Sequence, residues 1–450
     1  MMKIIVRGGY SRNLLLAMGL LTISISAQSQ SGLTLSKAIQ VAQQNDPWMD
    51  RSRNLQEVMQ ARSTASAELP DPNVSLGLLN LPSDTFDTSQ EPTTQVKVSI
   101  SQMFPRGASR ELSQKLHESM SREEPFLREN RRAQLNVNVA VVWLDAYLAR
   151  ETIALIESNR VLFEHLVDVS ESSYASAYGK TRQQDIVRAQ LELTLLEDRL
   201  VVLGERYDVA MSRLTEWVGF QNNYDLDIDT GFLELSPELP ELHLVSDMVL
   251  QHELDEQAMM TNYFVRHPLI KALDQKLAAS QTKIELSRQK YKPRWGINAS
   301  YGYRDDDRVE RPDFLSVGVM FDLPLFHANR QDQDVKAAVA TSEVTRADRI
   351  LALRNMYASY RTAKSRLLRL EDRQELYQRR LLAEMMEQAE ASLTAYTRDD
   401  GDFSEVMRAR ISELNARIDA LVIDVQRLQS IVRLNYYLVQ STSGVSSNVE

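Results

Sequence analysis

The chain of 450 residues contains no cysteine. It therefore has no disulfide to staple it and no thiolate for a zinc, iron–sulfur or redox site. A lipid anchor on an N-terminal cysteine is not expected either. Glycine and proline are scarce, at 15 and 13 residues, which favours long uninterrupted helices. Beyond the first thirty residues no stretch approaches the ~18 apolar residues of a membrane-spanning helix. Mean hydropathy is -0.34, so the chain does not read as a helical membrane protein. Positive charge is in deficit: 52 Lys and Arg against 62 Asp and Glu give a net charge of -10. Such a chain is a poor candidate for binding nucleic acid.

Clusters that carry chemistry are missing too. None of the histidines (His117, His165, His243, His252, His267 and His327) pairs with a second histidine at metal-ligand spacing. Met259-Met260 and Met385-Met386 could serve a soft metal, but methionine at helical positions is more often packing filler. No nucleophile, base and orienting group fall into a catalytic pattern. The chain reads as a non-enzyme with no cofactor and no resident metal.

Residues 1–29 have the form of a secretory signal peptide. Lys3, Arg7 and Arg12 precede a short apolar stretch from Leu14 to Ile25, with small-residue cleavage sites at Ile25-Ser-Ala27 and Ala27-Gln-Ser29. Its removal would take the net charge to -13, since the segment holds three basic residues and no acid.

Four stretches alternate with period two. Leu315, Val317, Val319, Phe321 and Leu323 alternate with Ser316, Gly318, Met320 and Asp322. Similar strands are expected at about 73–81, 93–104 and 294–304. Val98, Val317 and Val319 fall on the apolar side, and Lys97, Ser316 and Gly318 on the small, polar side. Each stretch has the ~9–11 residues of a tilted strand across a bilayer, although a half-buried soluble hairpin would alternate in the same way.

Between the strands lie long helical stretches, at about 108–178 and 328–397, each followed by a break and a returning helix, and a single helix is expected at about 256–291. The order helix, hairpin, long helix, turn, helix occurs twice. Pro47 and Pro268 are 221 residues apart, as are Pro72 and Pro293; Pro105 and Pro324 are 219 apart, and Asp185 and Glu405 are 220 apart. Residues 30–218 form the first copy, 219–255 a connector rich in Gly, Asn, Asp and Pro, 256–440 the second copy, and 441–450 a tail.

A helix of about seventy residues would span roughly 105 Å and needs another helix along its whole length. A coiled-coil rod or periplasmic scaffold satisfies that requirement. The hairpins point elsewhere. Four strands in lipid cannot close a barrel, because small barrels need about eight. Membrane strands would have to be pooled between copies, and three copies give twelve.

Several short motifs resemble the TolC family of outer-membrane efflux proteins, most closely its CzcC/CusC-like heavy-metal branch. They are Leu33-Thr-Leu-Ser-Lys-Ala-Ile39 with Asn45-Asp-Pro47, Gln102-Met-Phe-Pro-Arg-Gly107 and Asp322-Leu-Pro-Leu-Phe326. Tyr178-Gly179 through Asp185-Ile-Val-Arg-Ala-Gln190, and Tyr396 through Phe403-Ser-Glu-Val-Met-Arg-Ala409, complete them. The resemblance implies a mainly α protein with membrane β: a homotrimeric duct in the outer membrane. Four strands per protomer would contribute to a 12-stranded barrel, continued by a long periplasmic α-helical barrel. It implies a periplasmic adaptor and an inner-membrane RND-type pump as partners, with heavy-metal cations as cargo. A drug-efflux or type I secretion duct of the same fold is the alternative.

By the same resemblance, Asp185, Glu405, Tyr396 and Arg398 are candidates for the periplasmic gate and its selectivity. Gly179, Lys180, Arg182 and Gly401 are candidates for the tip turns and adaptor contact. Capping and turn chemistry would account for several of these equally well. The chain departs from the family at two places: Arg408 stands where a second acid is often found, and Asp399 where a turn glycine is common.

Overall fold

The computed structural model describes residues 32–175, 182–219, 234–246, 256–305, 309–398 and 401–441. Residues 1–29, expected to form a signal peptide, lie outside them, as do most of the connector and all of the tail but residue 441.

Proline and capping side chains set the helix boundaries. Thr34 caps α1 (Leu35–Asn45), its hydroxyl accepting from Lys37 N at 3.3 Å. Asp46 then caps α2 (Pro47–Ala67), accepting from Trp48 N at 3.1 Å, with Pro47 where a missing N–H costs nothing. The same device recurs at His267-Pro268. There His267 Nδ1 accepts from Leu269 N at 3.2 Å and splits the single helix expected over 256–291 into α5 (Glu256–Arg266) and α6 (Pro268–Arg288).

Strands β1 (Asn73–Leu79) and β2 (Gln95–Phe104) lead into α3 (Ser109–Ala175), and α4 (Gln183–Val218) returns. In the second half β3 (Arg294–Tyr303) and β4 (Phe314–Asp322) lead into α7 (Gln331–Leu376). A π-helical turn over Tyr377–Leu381 joins α7 to α8 (Leu382–Thr397), and α9 (Phe403–Tyr437) returns. The sequence reads 328–397 as one helix and gives no sign of this turn. Helix α3 runs through Pro125 unbroken, with α2 and α6 packed against it. At about 1.5 Å per residue its 67 residues reach about 100 Å.

The strands form one antiparallel sheet in the order β1-β2-β3-β4. Register aligns Leu76, Val98, Tyr301 and Leu315 in one row, and Val74, Ile100, Ala299 and Val317 in the next. This face carries no core. Leu315 is 77% exposed, Val317 71% and Val319 57%.

The helices repeat the order of the sheet. Helix α3 lies between α2 and α4 on one side and α6 and α9 on the other; α6 and α9 lie between α3 and the α7–α8 rod. The result is a wall one helix thick, with α2/α4 and α7/α8 at its margins, standing on a sheet with β1 and β4 at its margins. The apolar core sits midway along the wall. Trp143, Phe264, Tyr360, Leu35 and Leu235 pack there. Trp143 Nε1 donates to Leu33 O at 2.8 Å, and Arg150 holds Leu235 O and Ser236 O at 2.6 and 2.9 Å. A second cluster, with Phe163, Leu196, Phe403 and Leu414, holds α3, α4 and α9 together toward the helical tips.

Candidate functional site

The end of the wall farthest from the sheet lies where α3 gives way to α4 and where α8 gives way to α9. At the first, Gly179 and Lys180 lie outside the described residues. Arg182 is the N-cap of α4, and its backbone N–H donates to Asp185 Oδ2 at 2.9 Å. Asp185 N in turn donates to Arg182 O at 2.9 Å. The Asp185 side chain is thus a buried capping group: the residue is 7% exposed, and Ala189 one turn further on is fully buried.

In the second turn Asp402 is the N-cap of α9 and accepts from Ser404 N at 3.1 Å. Glu405 occupies the same third helical position as Asp185, but its side chain is 55% exposed and lies 3.5 Å from Arg408. Tyr396 packs edge-on against buried Phe403, with ring centroids 5.7 Å apart. Arg398 is the C-cap of α8, its N–H donating to Thr394 O at 3.2 Å, and its side chain is exposed. A Cβ on Gly401 would come within 2.6 Å of Tyr396 N, so only glycine lets this turn close so tightly. The structure therefore gathers Tyr396, Arg398, Gly401 and Glu405 at one turn and puts Arg182 and Asp185 at the other.

Sequence reasoning placed Lys97, Ser316 and Gly318 on the polar face of the sheet but missed its row of serines. Ser75, Ser99, Ser300 and Ser316 stand directly opposite one another across all four strands. The hydroxyls of Ser75 and Ser99 lie 2.6 Å apart. The flanking rows contain Asn73, Ser101, Asn298 and Gly318 on one side, and Gly77, Lys97, Gly302 and Phe314 on the other. Among the strand residues of this face, Lys97 carries the sole charge above the Arg294–Asp322 pair at the base. The alternation of each strand was legible, but which serine meets which depends on register.

At the base of the sheet the two halves of the chain are tied together. Arg106 Nη2 lies 2.5 Å from Asp322 Oδ2, while Nη1 donates to Lys290 O and Lys292 O at 3.0 and 2.9 Å. Gly107 permits the approach: its φ is +47°, and a Cβ there would meet Lys292 Cδ at 2.4 Å.

Midway along the wall His267 is fully buried. Burial lowers its pKa from 6.5 to about 4, against the opposing pull of Tyr436 O, which lies 3.0 Å from Nε2. Burial likewise pushes Tyr436 up to about 12; its hydroxyl lies 3.0 Å from Asn130 Oδ1. His267 is thus a neutral capping residue. Among the described residues no group of three or more His, Asp or Glu is disposed to hold a metal ion. Met260, one of the methionines singled out above, is buried in the mid-wall core.

No protein-family model and no curated protein sequence matches the chain. Solved structures do. A membrane protein from Pseudomonas aeruginosa superimposes with a TM-score of 0.73 at 14% identity, over 90% of this chain and 93% of that one. The outer-membrane channel OprN gives 0.71 at 14% identity, over 90% of each chain. CusC, whose structures describe transmembrane channel formation, gives 0.70 at 14% identity, over 90% of this chain and 92% of that one. The chain has the fold of outer-membrane channel proteins.

Proposed function

We propose that this chain is a TolC-family duct, three copies of which pool their sheets into a 12-stranded outer-membrane barrel and their helical walls into a periplasmic tunnel. The single observation that carries this reading is the shared order of sheet and helical wall. Each is one element thick, each has two open margins, and both sets of margins lie on the same sides. A wall of that kind is completed by a head-to-tail interface that closes into a ring.

The surface chemistry supports the same reading. The apolar residues of the sheet face outward, where lipid would cover them, and the serine rows face the lumen. The stacked pair Phe104–Trp295, with Phe321 beside Trp295 in register, forms an aromatic row at the base of the sheet. Tyr301 and Tyr303 form another toward the far end. Six to eight residues separate the rows, about 20–27 Å along a strand, which suits the ~25 Å apolar band of such barrels. At the margins of the wall α4 exposes Val187, Leu191, Leu195 and Val202, and α7 exposes Val339, Val344 and Leu351. These are the surfaces that neighbouring copies would cover.

The two parallel halves, 30–218 and 256–440, give the trimer a pseudo-sixfold form. Their tips make the periplasmic mouth, with Glu405 supplying exposed charge, Asp185 holding the first turn in shape, and Tyr396 and Arg398 beside them. Gly179, Lys180, Arg182 and Gly401 shape the surface offered to a periplasmic adaptor, behind which an inner-membrane RND-type pump chooses the cargo. Heavy-metal cations are the proposed cargo, on the sequence motifs above. OprN and CusC resemble the chain almost equally, so the cargo reading rests on the sequence motifs and not on the fold.

Fractionation and electrophysiology test the duct. The protein should enter the outer-membrane fraction, cross-link as a trimer in detergent and give stable conductance in planar bilayers. A soluble monomer without conductance would leave a periplasmic scaffold as the better reading. Loss of metal tolerance on deletion, with drug tolerance unchanged, tests the cargo.

A further inference from the structure

The two hairpins leave the sheet differently. After β2 the chain turns at once: Gly107 bends it, Arg106 is tied to the other hairpin, and Phe104 is stacked on Trp295 at 4.2 Å. After β4 the outward-facing stripe does not stop where strand pairing stops. Leu323 and Leu325 continue the parity of Val319 and Phe321 beyond Asp322, the last paired residue, and are 64% and 72% exposed. Leu325 N donates to Leu323 O at 2.9 Å across Pro324, a tight turn directly after the strand. Phe326 follows and is 91% exposed, the highest value of any large apolar side chain described. None of the described residues covers it.

The surroundings of this segment differ in charge from the rest of the molecule. The chain as a whole is acidic, at -10. At this level, however, Arg106, Lys290, Lys292, Arg294 and Arg330 outnumber Asp322, Asp332 and Asp334. The acids are already engaged: Asp322 by Arg106, Asp334 by Lys290 at 2.7 Å, and Asp332 by the Tyr291 hydroxyl at 2.5 Å. His327 lies edge-on to Tyr291, with ring centroids 5.9 Å apart, and holds the connector against the helices. An exposed apolar wedge beside an excess of Arg and Lys, at the end of an apolar band, is the pattern of a surface that sits in a headgroup layer.

We propose that the Leu323–Phe326 connector is a membrane-interface anchor. It seats Phe326 at the headgroup/acyl boundary of the leaflet on the helical side, and the adjoining basic collar prefers anionic phospholipid there. The proposal rests on the barrel reading and adds to it a lipid class and a fixed depth. Apolar continuity with the sheet selects the bilayer as the occupant, and charge complementarity selects an anionic headgroup.

The absence of cysteine makes the test direct. Phe326→Cys, Val319→Cys and Val161→Cys, the last on the exposed side of α3, each take a single nitroxide label. Each protein is reconstituted in phosphatidylcholine vesicles with and without phosphatidylglycerol, and the label's accessibility to oxygen and to a water-soluble nickel chelate is measured. The Val319 label should lie deep and the Val161 label in water. The Phe326 label should lie within about 5–10 Å of the headgroup/acyl boundary. Phosphatidylglycerol should lower its nickel accessibility, and Lys292→Gln with Arg330→Gln should abolish that shift. If the Phe326 label is as water-accessible as that on Val161, or as deep as that on Val319, while Val319 is itself deep, the anchor falls and the barrel stands. Water access at Val319 as well would remove the membrane reading on which the anchor depends. Equal behaviour with and without phosphatidylglycerol would overturn the lipid preference.

Discussion

The sheet end and the tip end of the helical wall are held by different kinds of bond. At the sheet, residues far apart in sequence are joined: β2 pairs with β3, and Arg106 reaches Asp322 and two carbonyls of the opposite half. At the tips, the bonds that shape each turn are local. Arg182 is bound to Asp185, Asp402 to Ser404, and Gly401 lies against Tyr396, all within a few residues. The sheet end is therefore one unit shared by both halves, while the helix caps at the tips are held by local bonds. Small changes at a tip should stay local, and changes at the sheet should be felt by the whole wall.

The largest expected effect contrasts the two faces of one strand. Val319→Arg places a charge on the apolar face and should cost about 2–4 kcal/mol of membrane stability. Ser316→Arg, on the polar face three residues away, should be close to neutral. Urea titration of the folded protein in bilayers measures both. The reverse order would mean that the sheet presents its other face to lipid.

Next in size is the region between the two ends. His267 titrates near 6.5 when unfolded and at about 4 when folded, so the unfolded state takes up the proton first. The fold should be at full stability above pH 6.5 and lose on the order of 2–3 kcal/mol as pH falls toward 4. His267→Asn keeps a capping side chain and removes the titration. Thermal unfolding of both proteins across this window should show a steeper decline in the native chain; parallel curves would mean that His267 is solvated.

The third prediction sets the ends against each other. Arg106→Ala removes a partly exposed ion pair and two bonds to carbonyls, and should cost about 2 kcal/mol. Asp402→Ala removes one helix cap and should cost about 1 kcal/mol. Hydrogen exchange separates them by reach. Loss of the clamp should raise exchange in both hairpins, and loss of the cap only in the first turns of α9. Spread of the Asp402 effect to α3 and α4 would contradict the local character of the tips.

The smallest change in stability should come with a change in conduction. Asp185→Asn combined with Glu405→Gln should leave fold and assembly intact, because asparagine still accepts the bond from Arg182 and Glu405 is exposed. Cation preference and block by multivalent cations from the periplasmic side should fall. Glu405→Gln alone should give most of the effect, since Asp185 is buried in its cap. Unchanged reversal potential and block would remove both residues from the mouth.

Much of this was legible in the residues. Alternation at Val317, Val319 and Phe321, proline at positions 47, 105 and 324, and glycine at 401 act through local backbone geometry, so they fixed strand faces and element ends; Pro268 does the same, but the sequence was read as one helix through it. Those are properties of neighbouring residues and need no partner. What required the tertiary structure was everything that depends on a partner distant in the chain. Strand order and register put four serines in one row, and Arg106 found Asp322. Asp185 and Glu405 occupy equivalent helix positions, but one became a buried cap bonded to Arg182 and the other an exposed partner of Arg408. The π-helical turn at Tyr377–Leu381 left no trace in the sequence, since any residue can occupy one when neighbouring packing favours it. The two open margins, which carry the proposal of a closed ring, exist only in the assembled wall: no single strand or helix has an edge until its neighbours are in place.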